Sequence, residues 1–507
     1  MRRDRLPAWA GGRLTLLWSR DMAGSVAPAH DGTDLADRRL GVAIFVLALG
    51  TYAFFFGGEG WNQNSHFALT RAVVERGTLH IDGYDASTGD VSRGLGRHNY
   101  SNKAPGLSLL AALPYAAIVA VERRLNLSLD DLSTVNQRLV TIAICGVSGA
   151  LTGVILFLYG RRRLGIGAVS ALVATLAVLF GTIVFPYSTV LMAHVPAGLF
   201  LLLAFTLTRS RPLSAGAAAG MATACFYVCA AAAVVLAVIV WRTSSWRGAA
   251  RFVVGGLPLA VALGVYHTIC FGSPWRTAVE ASTFTGAGLL FGVLSLPTAE
   301  ALWGLTFSPF RGLFYTSPVL LIALAGLWFM RRRDDLRHER IAVIAVPLLL
   351  LLAIAGFNFW HGGWSFGPRY LLPAIPLLGI PMMLAAGRAR PLWVVLGALS
   401  FIFNFAAAAV NPTPAESYRD PLRQELLPVL VLGRFPDATL RELGWEQIGP
   451  ADRKVARSTA AANLGEVVFG KGSRASILPA LAWIAAGSSV LIAFARRRAS
   501  LVSSAAS

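Results

Sequence analysis

The chain carries little charge and little cysteine for its length. Charged residues make up 14% of its 507 positions, only 26 residues are acidic, and there are four cysteines. All four lie in or beside apolar segments. Cys225 and Cys229 share a helical face, but no histidine or carboxylate lies near them in the sequence, so packing is favoured over metal ligation.

The amino-terminal region also lacks a recognisable targeting signal. The first forty residues have mixed charge, without the apolar core and small-residue cleavage site of a signal peptide. We therefore expect residues 1–39 to form a disordered cytoplasmic arm and the first apolar segment to remain as an anchor.

Long apolar runs dominate the rest of the chain. Hydrophobic residues make up 55% of the sequence, and the mean hydropathy is +0.60, far above that of a soluble domain. A bilayer core needs about 20 apolar residues per helix. The runs predict an all-α polytopic membrane protein, with helices at 40–58, 105–121, 138–159, 165–185, 191–208, 213–226, 228–241, 252–270, 314–330, 341–358, 370–386, 391–410 and 477–495.

The net charge of +19 follows from arginines in the short gaps between these runs. Such clusters are typical of cytoplasmic loops, so we expect no nucleic-acid partner. Every arginine-rich loop obeys the positive-inside rule if segment 105–121 lies in the outer interface and does not cross the membrane. This segment is interrupted by Pro105 and Pro114. The result is about twelve crossings with both termini cytoplasmic.

This topology divides the chain into a membrane region at 40–410, a small outer tail domain at 411–476, and a last membrane helix with a cytoplasmic tail at 477–507. Interfacial loops face outward, with the first outer loop at 59–137. We expect a multi-pass membrane protein whose functional site faces outward.

The first outer loop holds an unusual concentration of polar residues. Between positions 64 and 105 it contains Asp82, Asp85 and Asp90, several basic residues and the motif Asn-Lys-Ala-Pro-Gly. A transporter usually has its ionisable groups at mid-membrane, and the apolar segments here are almost free of them. Polar groups at one membrane face favour an enzyme acting on a lipid-linked substrate.

Glycosyl transfer from a polyprenyl phosphate sugar requires a carboxylate base, cations for the departing phosphate, and apolar walls. Asp90 precedes the lysine motif by about a dozen residues, close enough to fold back over it. We rank it first as the base, then Asp82, then Glu59; the alternative is that all three are solvated loop acids.

The cationic candidates stand where apolar segments begin. Lys103 can meet a lipid phosphate at headgroup depth, although ordinary snorkelling is the alternative. Arg369 follows glycines and tryptophans, a setting that suits phosphate recognition; Arg311 is similar. The expected substrate-pocket residues are Asn64, His66, Tyr100, His194, Trp360, His361 and Trp364, against the alternatives of a satisfied buried histidine and an interfacial tryptophan belt.

At these residues the chain resembles the GT-C superfamily of membrane glycosyltransferases, near the protein O-mannosyltransferases and the aminoarabinose transferase of lipid A modification. The resemblance rests on YSNKAPG at 100–106, the helix start at His194, and WSFGPRYLLP at 364–373. It implies a GT-C-like bundle, an outward-facing active site, an undecaprenyl-phosphate or similar donor, and inversion of configuration. It also implies donor-phosphate contacts by Lys103, with Arg138 and Arg369 as further candidates.

One departure from the superfamily concerns the base. An acidic pair usually follows the first membrane helix, but here the matching stretch is NQNSHFA at 62–68. The base is then Asp90, Asp82 or Glu59. Alternatively, the protein is an inactive partner in envelope assembly. A flippase for lipid-linked sugar is another alternative.

No spacing in the sequence is diagnostic of a metal. We therefore assign none, although a divalent ion at Asp82, Asp85 or Asp90 with His98 is compatible with the residues present. The expected partners are the polyprenyl-phosphate donor, membrane lipid, and an envelope acceptor that is a glycan, a lipid or a protein.

Overall fold

The computed structural model describes residues 31–282, 293–388, 390–442, 444 and 461–506, and these are mostly helical. Each predicted apolar segment forms a helix. The matching helices are Asp31–Phe54, Gly106–Arg124, Ser133–Arg162, Ala168–Gly181, His194–Leu207, Pro212–Cys225, Cys229–Thr243, Trp246–Phe271, Pro318–Met330, Arg337–Ala355, Arg369–Ala385, Arg390–Ala409 and Leu478–Ala506.

Six helices are long and apolar enough to cross a membrane, and five further apolar helices have only 10–17 residues. The six are Gly106–Arg124, Ser133–Arg162, Trp246–Phe271, Asp334–Ala355, Arg390–Ala409 and Arg474–Arg497. The structure thus confirms a helical protein rich in candidate spans, whereas the count of about twelve crossings stays a prediction.

The first helix begins earlier than expected. Residues 31–39 belong to Asp31–Phe54, so the prediction of a disordered arm is wrong for them; residues 1–30 lie outside the described residues. Acidic residues explain the extension. Asp34 pairs with Arg38 one turn later (2.8 Å) and with Arg162 (2.5 Å), while Asp37 accepts hydrogen bonds from Arg161 (3.1 Å).

Three of the arginine clusters predicted to share the cytoplasmic side, at 161–163, 209–211 and 331–340, meet in the structure. Besides those contacts with the first helix, Arg163 lies 2.7 Å from Glu339, and Arg209 lies 3.0 Å from the same carboxylate. Glu339 is buried in the first turn of Arg337–Ala355. One buried acid thus ties three chain segments together at this basic end.

Gly106–Arg124 contacts the first loop and the start of the next helix. Its first turn follows Lys103, and Glu122 in its last turns accepts a hydrogen bond from Asn136 (3.1 Å), close to the start of the next helix. Tyr115, in its middle, donates to Glu75 in the first loop (2.5 Å). The interfacial position of this helix stays a prediction, because its length and composition also fit a membrane span.

Two small antiparallel sheets organise the loop end. Strand β1 (Phe55–Phe56) pairs with β4 (Ala462–Asn463), which fixes the carboxyl-terminal region against the end of the first helix. Strand β2 (Val91–Arg93) pairs with β3 (Asn99–Ser101) within the first loop. The loop also contains helix Trp61–Arg71, and short helices at Leu427–Leu432, Asp437–Glu442 and Glu466–Phe469 lie in the tail region.

Glycines allow two helices of the bundle to touch backbone to backbone. A Cβ atom added at Gly216 would lie 1.8 Å from the carbonyl oxygen of Phe252, and one at Gly255 would lie 1.9 Å from that of Leu213. These glycines lie on Pro212–Cys225 and Trp246–Phe271. Small residues at such a crossing are a known basis of helix association in membranes.

Replacing Gly216 by alanine is therefore expected to push the two helices apart. Overpacking of this kind destabilises by about 1–3 kcal/mol, so the apparent Tm in detergent should fall. The matched control is Gly397→Ala, since a Cβ there meets nothing within 4 Å. Its Tm should stay level or rise slightly, because alanine is the better helix former. Equal Tm values for Gly216→Ala and wild type would contradict the close packing.

Candidate functional site

The β2–β3 hairpin determines where Asp90 lies. Val91 pairs with Ser101, so Asp90, just before β2, comes opposite Asn102, just after β3. The Asn102 amide donates to the Asp90 carbonyl oxygen at 3.4 Å. A separation of a dozen residues along the chain thereby becomes a direct contact, and the expected fold-back of Asp90 over the lysine motif is observed.

Asp90 and Lys103 form an ion pair. The Lys103 Nζ lies 2.8 Å from the Asp90 Oδ2, and the two side chains are only 20% and 17% exposed. Asn102 donates to the other carboxylate oxygen at 3.4 Å and also contacts Ser282 at 3.3 Å. The carboxylate is therefore held on both oxygens.

Helix Trp61–Arg71 packs behind this pair and fixes the backbone that carries it. The Ser65 hydroxyl donates to the Asp90 carbonyl oxygen (2.6 Å) and shares a hydrogen bond with Ser101 (2.8 Å). One turn on, Thr70 donates to the carbonyl oxygen of Ser108 (3.1 Å). These small hydroxyl residues allow the helix to hydrogen-bond both to the β2–β3 hairpin and to helix Gly106–Arg124.

The electrostatics favour an ionised Asp90. Burial by itself would raise the pKa of this carboxyl group, but the charge and hydrogen bond of Lys103 outweigh burial, assisted by Arg369 and Asn102, and the pKa falls below its ordinary 3.8. Asp90 is thus a carboxylate at neutral pH, held in that form by its cationic neighbours.

Arg369 has a buried charge without an acidic ion-pair partner among the described residues. Its guanidinium lies 3.4 Å from the Met192 sulfur and 5.2 Å from the centre of the Tyr370 ring, while its Nε has no hydrogen-bond partner. Its charge acts on Asp90 and helps to lower the pKa of that carboxyl group. A buried cation that no acid neutralises is costly unless an anion joins it.

A second arginine holds the loop that leads to Arg369. Arg311 is fully buried, and it donates to the carbonyl oxygens of His361 (3.2 Å) and Gly363 (2.8 Å). The backbone turns towards it through Gly362 and Gly363, both in the left-handed region with φ of 76° and 63°. A side chain at these glycines would strain the turn.

Two histidines complete the cluster. His66 bonds through Nδ1 to the Ser108 hydroxyl (3.1 Å), and burial, followed by the charge of Lys103, lowers its pKa to about 3, so it is neutral. His194 is buried between the rings of Phe226 (5.1 Å) and Tyr370 (5.5 Å), and its Nδ1 has no hydrogen-bond partner. His194 is therefore not the satisfied buried histidine considered from the sequence.

The predicted residues that come together are Asp90, Lys103, Arg369, His66 and His194. The cluster has two full positive charges, on Lys103 and Arg369, and one negative charge, on Asp90. Two buried nitrogens, Arg369 Nε and His194 Nδ1, have no hydrogen-bond partner. An anionic, hydrogen-bond-accepting ligand satisfies both conditions.

Three other predicted residues have their contacts elsewhere. Glu59 is exposed and accepts a hydrogen bond from Thr134 (2.5 Å). Arg138 donates to the Ala53 carbonyl oxygen at 3.3 Å and lies 6.0 Å from the centre of the Phe56 ring. Asp82 bonds to His98 and to the amide of Asn99; burial raises the pKa of this carboxyl group, but those two hydrogen bonds, followed by the charges of His80 and His98, lower it below its ordinary value.

The remaining pocket candidates also lie in other surroundings. Asn64 bridges Ser87 and Gln137, Tyr100 packs edge-on against Phe271 (5.5 Å), and Trp360 packs edge-on against Phe310 (6.2 Å). Trp364 is 62% exposed. His361 accepts from the Gly363 amide (3.1 Å), so its contact with the site is indirect, through the loop that ends at Arg369.

Sequence reasoning missed Asn102, Ser282 and His80. Asn102 was inside the recognised motif, and its hairpin position opposite Asp90 was a usable signal. Ser282 comes from a distant loop through an isolated bridge to Ser92, which no local pattern predicts.

The ion pair makes a direct prediction for stability. Lys103→Ala leaves a largely buried carboxylate without its cation, so a double-mutant cycle with Asp90→Asn should give a coupling free energy of about 1–3 kcal/mol at pH 7. The measurement is unfolding in detergent. Lys471→Ala, at an exposed lysine, is the matched control and should leave stability unchanged.

The same pair has a defined pH dependence. A depressed folded-state pKa contributes stability above the unfolded value near 3.8 and loses it as the pH falls through the folded value. The stability difference between wild type and Asp90→Asn should therefore be constant from pH 5 to 7 and shrink only below about pH 4. A difference that disappears between pH 5 and 7 would contradict the lowered pKa.

Comparisons with known proteins give a likeness in fold. No family model matches the chain, and no curated protein matches it. Its structure is similar to two solved structures of ArnT from Cupriavidus metallidurans, one bound to undecaprenyl phosphate and one in the apo state. Both are 14% identical to it, with TM-scores of 0.47 and 0.46; the alignments cover 92% of this chain and 77% and 76% of theirs. So distant a likeness carries no argument about the site.

Proposed function

We propose that the protein is a membrane glycosyltransferase that moves a sugar from a polyprenyl-phosphate donor to an acceptor in the cell envelope. The carrying observation is the buried Arg369, which has no acidic ion-pair partner among the described residues and whose charge acts on Asp90 of the Lys103–Asp90 pair. In this proposal the site faces the periplasm from the outer face of the inner membrane.

A phosphate is the ligand that this arrangement fits best. The guanidinium of Arg369 can donate two parallel hydrogen bonds to phosphate oxygens, and the Lys103 ammonium adds a mobile point charge. The helices Gly106–Arg124, His194–Leu207 and Arg369–Ala385 all begin at the cluster. Their amino-terminal N–H groups and dipoles add positive potential.

The position of the cluster fits a lipid-linked donor. The helices that begin there continue into apolar segments, which supply walls for a prenyl tail while the phosphate stays at the polar end. A soluble nucleotide-sugar donor has no use for such walls. The combination of anion site and apolar helices therefore favours a polyprenyl phosphate.

Asp90 is the base in this mechanism. Its carboxylate takes the proton of the acceptor hydroxyl as that oxygen attacks the anomeric carbon. The bond between that carbon and the phosphate oxygen breaks, and the electron pair leaves with the polyprenyl phosphate. Lys103 and Arg369 stabilise the negative charge on the leaving group. Attack opposite the leaving group inverts the configuration.

The ion pair connects binding to base strength. While Lys103 contacts Asp90, the pKa of the carboxyl group is low and the carboxylate is a weak base. A donor phosphate competes for the ammonium group. As that contact weakens, burial raises the pKa of Asp90 towards a value at which it accepts a proton.

Donor binding tests the role of the cations. Binding of undecaprenyl phosphate to purified protein should weaken about 10- to 100-fold in Lys103→Ala and in Arg369→Gln, because each loses a charge-assisted hydrogen bond. Lys471→Ala is the control and should bind like wild type. Arg369→Lys keeps the positive charge, so its comparison with Arg369→Gln distinguishes loss of binding from loss of folding. Undiminished binding in both Lys103→Ala and Arg369→Gln would overturn the phosphate assignment.

Sugar transfer tests the role of Asp90. With a panel of radiolabelled polyprenyl-phosphate sugars and envelope extract, Asp90→Asn should bind donor but transfer sugar about 10²- to 10⁴-fold more slowly. Asp131→Asn, at an exposed loop acid, should retain activity. Full activity in Asp90→Asn, with loss in Asp82→Asn or Glu59→Gln, would move the base to one of those residues.

Wild-type binding without transfer of any sugar would refute the enzyme. It would instead favour a carrier of lipid-linked sugar or an inactive assembly partner. The candidate acceptors in the extract are lipid A, another glycan, a protein and a small lipid, and fractionation of the labelled product distinguishes them.

A further inference from the structure

A second group of polar side chains lies on the same hairpin, apart from the Asp90–Lys103 pair. His98 comes just before β3, and His80 and Asp82 belong to the segment beside it, since the Ile81 amide donates to the carbonyl oxygen of Asn99 (2.7 Å). All three side chains are partly buried. The phosphate site and the proposed transfer make no use of them.

The three side chains point their ligand atoms at one another. The His80 Nδ1 lies 3.3 Å from the Asp82 Oδ2, and the His98 Nδ1 is hydrogen-bonded to the same oxygen. One ligand atom from each residue lies within 4.8 Å of the other two. The imidazole rings stack at 4.3 Å with 15° between their planes, so both Nδ1 atoms face the carboxylate.

Two details indicate a ligand site instead of a simple histidine–aspartate contact. The His80 Nδ1 is buried and has no hydrogen bond, because its approach to Asp82 lacks hydrogen-bond geometry. The Asn99 amide binds the other carboxylate oxygen of Asp82 (2.8 Å), which orients Oδ2 towards the imidazoles. Such outer contacts orient the ligands of metal sites in proteins.

We propose that His80, Asp82 and His98 bind one transition-metal ion of the zinc class. Two imidazole nitrogens and one carboxylate oxygen are a common zinc ligand set, with water at the fourth position. Ligand bonds of about 2.0–2.1 Å put tetrahedral ligand atoms about 3.4 Å apart, close to the His80–Asp82 distance. The ion replaces the proton between His98 and Asp82; that pair moves apart, and the stacked imidazole rings turn so that the ion lies in the plane of each ring. Imidazole ligands disfavour magnesium and calcium.

The ion has a structural consequence for the proposed catalytic residues. It links segment 80–82 to the start of β3, and β3 leads directly into Asn102 and Lys103. Metal binding therefore stiffens the strand that places Lys103 against Asp90. Asp82 becomes a metal ligand, and the proposal holds whether or not the protein transfers sugar.

Cobalt titration tests the site. Protein purified without a polyhistidine tag and stripped with chelator should bind about one Co²⁺ per chain, with the visible absorption of a tetrahedral site, and Zn²⁺ should displace it. His80→Ala, Asp82→Asn and His98→Ala should each weaken binding at least about 10-fold. His338→Ala, on a helix at the basic end, is the matched control and should bind like wild type.

Stability supplies an independent measurement. Zn²⁺ should raise the Tm of wild type and of His338→Ala, but not that of His98→Ala, because only a folded, intact site gains from the ion. Comparing Tm values without metal shows whether each variant still folds. No Co²⁺ binding by wild type, or equal affinity in His80→Ala and His98→Ala, would overturn the metal site. Binding of undecaprenyl phosphate by the same samples reports separately on the phosphate site.

Discussion

The ion pair of Lys103 with Asp90 depends on a backbone constraint, the register of one short hairpin. Because Val91 pairs with Ser101, the residues flanking the two strands must meet, and a carboxylate and an ammonium are brought together in a partly buried place. Taking two charges out of water is costly unless they neutralise each other. The hydroxyl contacts of helix Trp61–Arg71 fix that backbone, so the surrounding loop is organised to keep the pair in register.

Arg369 adds a further buried positive charge that acts on this pair. Its charge is buried against a sulfur atom and an aromatic ring, and the fully buried Arg311 holds the loop before it through carbonyl oxygens. A protein keeps a costly buried cation when a ligand supplies the missing anion. The positive charge of Arg369 also lowers the pKa of Asp90, so the proposed phosphate binding and base strength would be coupled through one set of charges.

Much of this arrangement was predictable because its signals are local. Apolar run length identified the helices, and a lysine before Pro105 or an arginine before a helix marks a helix start at a polar boundary. Asp90 was ranked above Asp82 and Glu59 on separation from Lys103 alone, and a hairpin makes that separation a contact. The prediction of a disordered arm failed for residues 31–39 because their structure depends on distant partners. Acidic residues there extend the first helix by pairing with arginines more than a hundred positions away.

The sequence by itself determined the class of the protein, the helical segments, and the choice of Asp90, Lys103 and Arg369 as candidates, because hydrophobicity and local spacing are properties of neighbouring residues. Only the tertiary structure decided that the charge of Arg369 acts on Asp90, that Glu59 bonds to Thr134, and that His80 joins Asp82 and His98. These relations depend on which segments pack together in space. That packing is the sum of many weak contacts along the whole chain, and no single stretch of sequence records it.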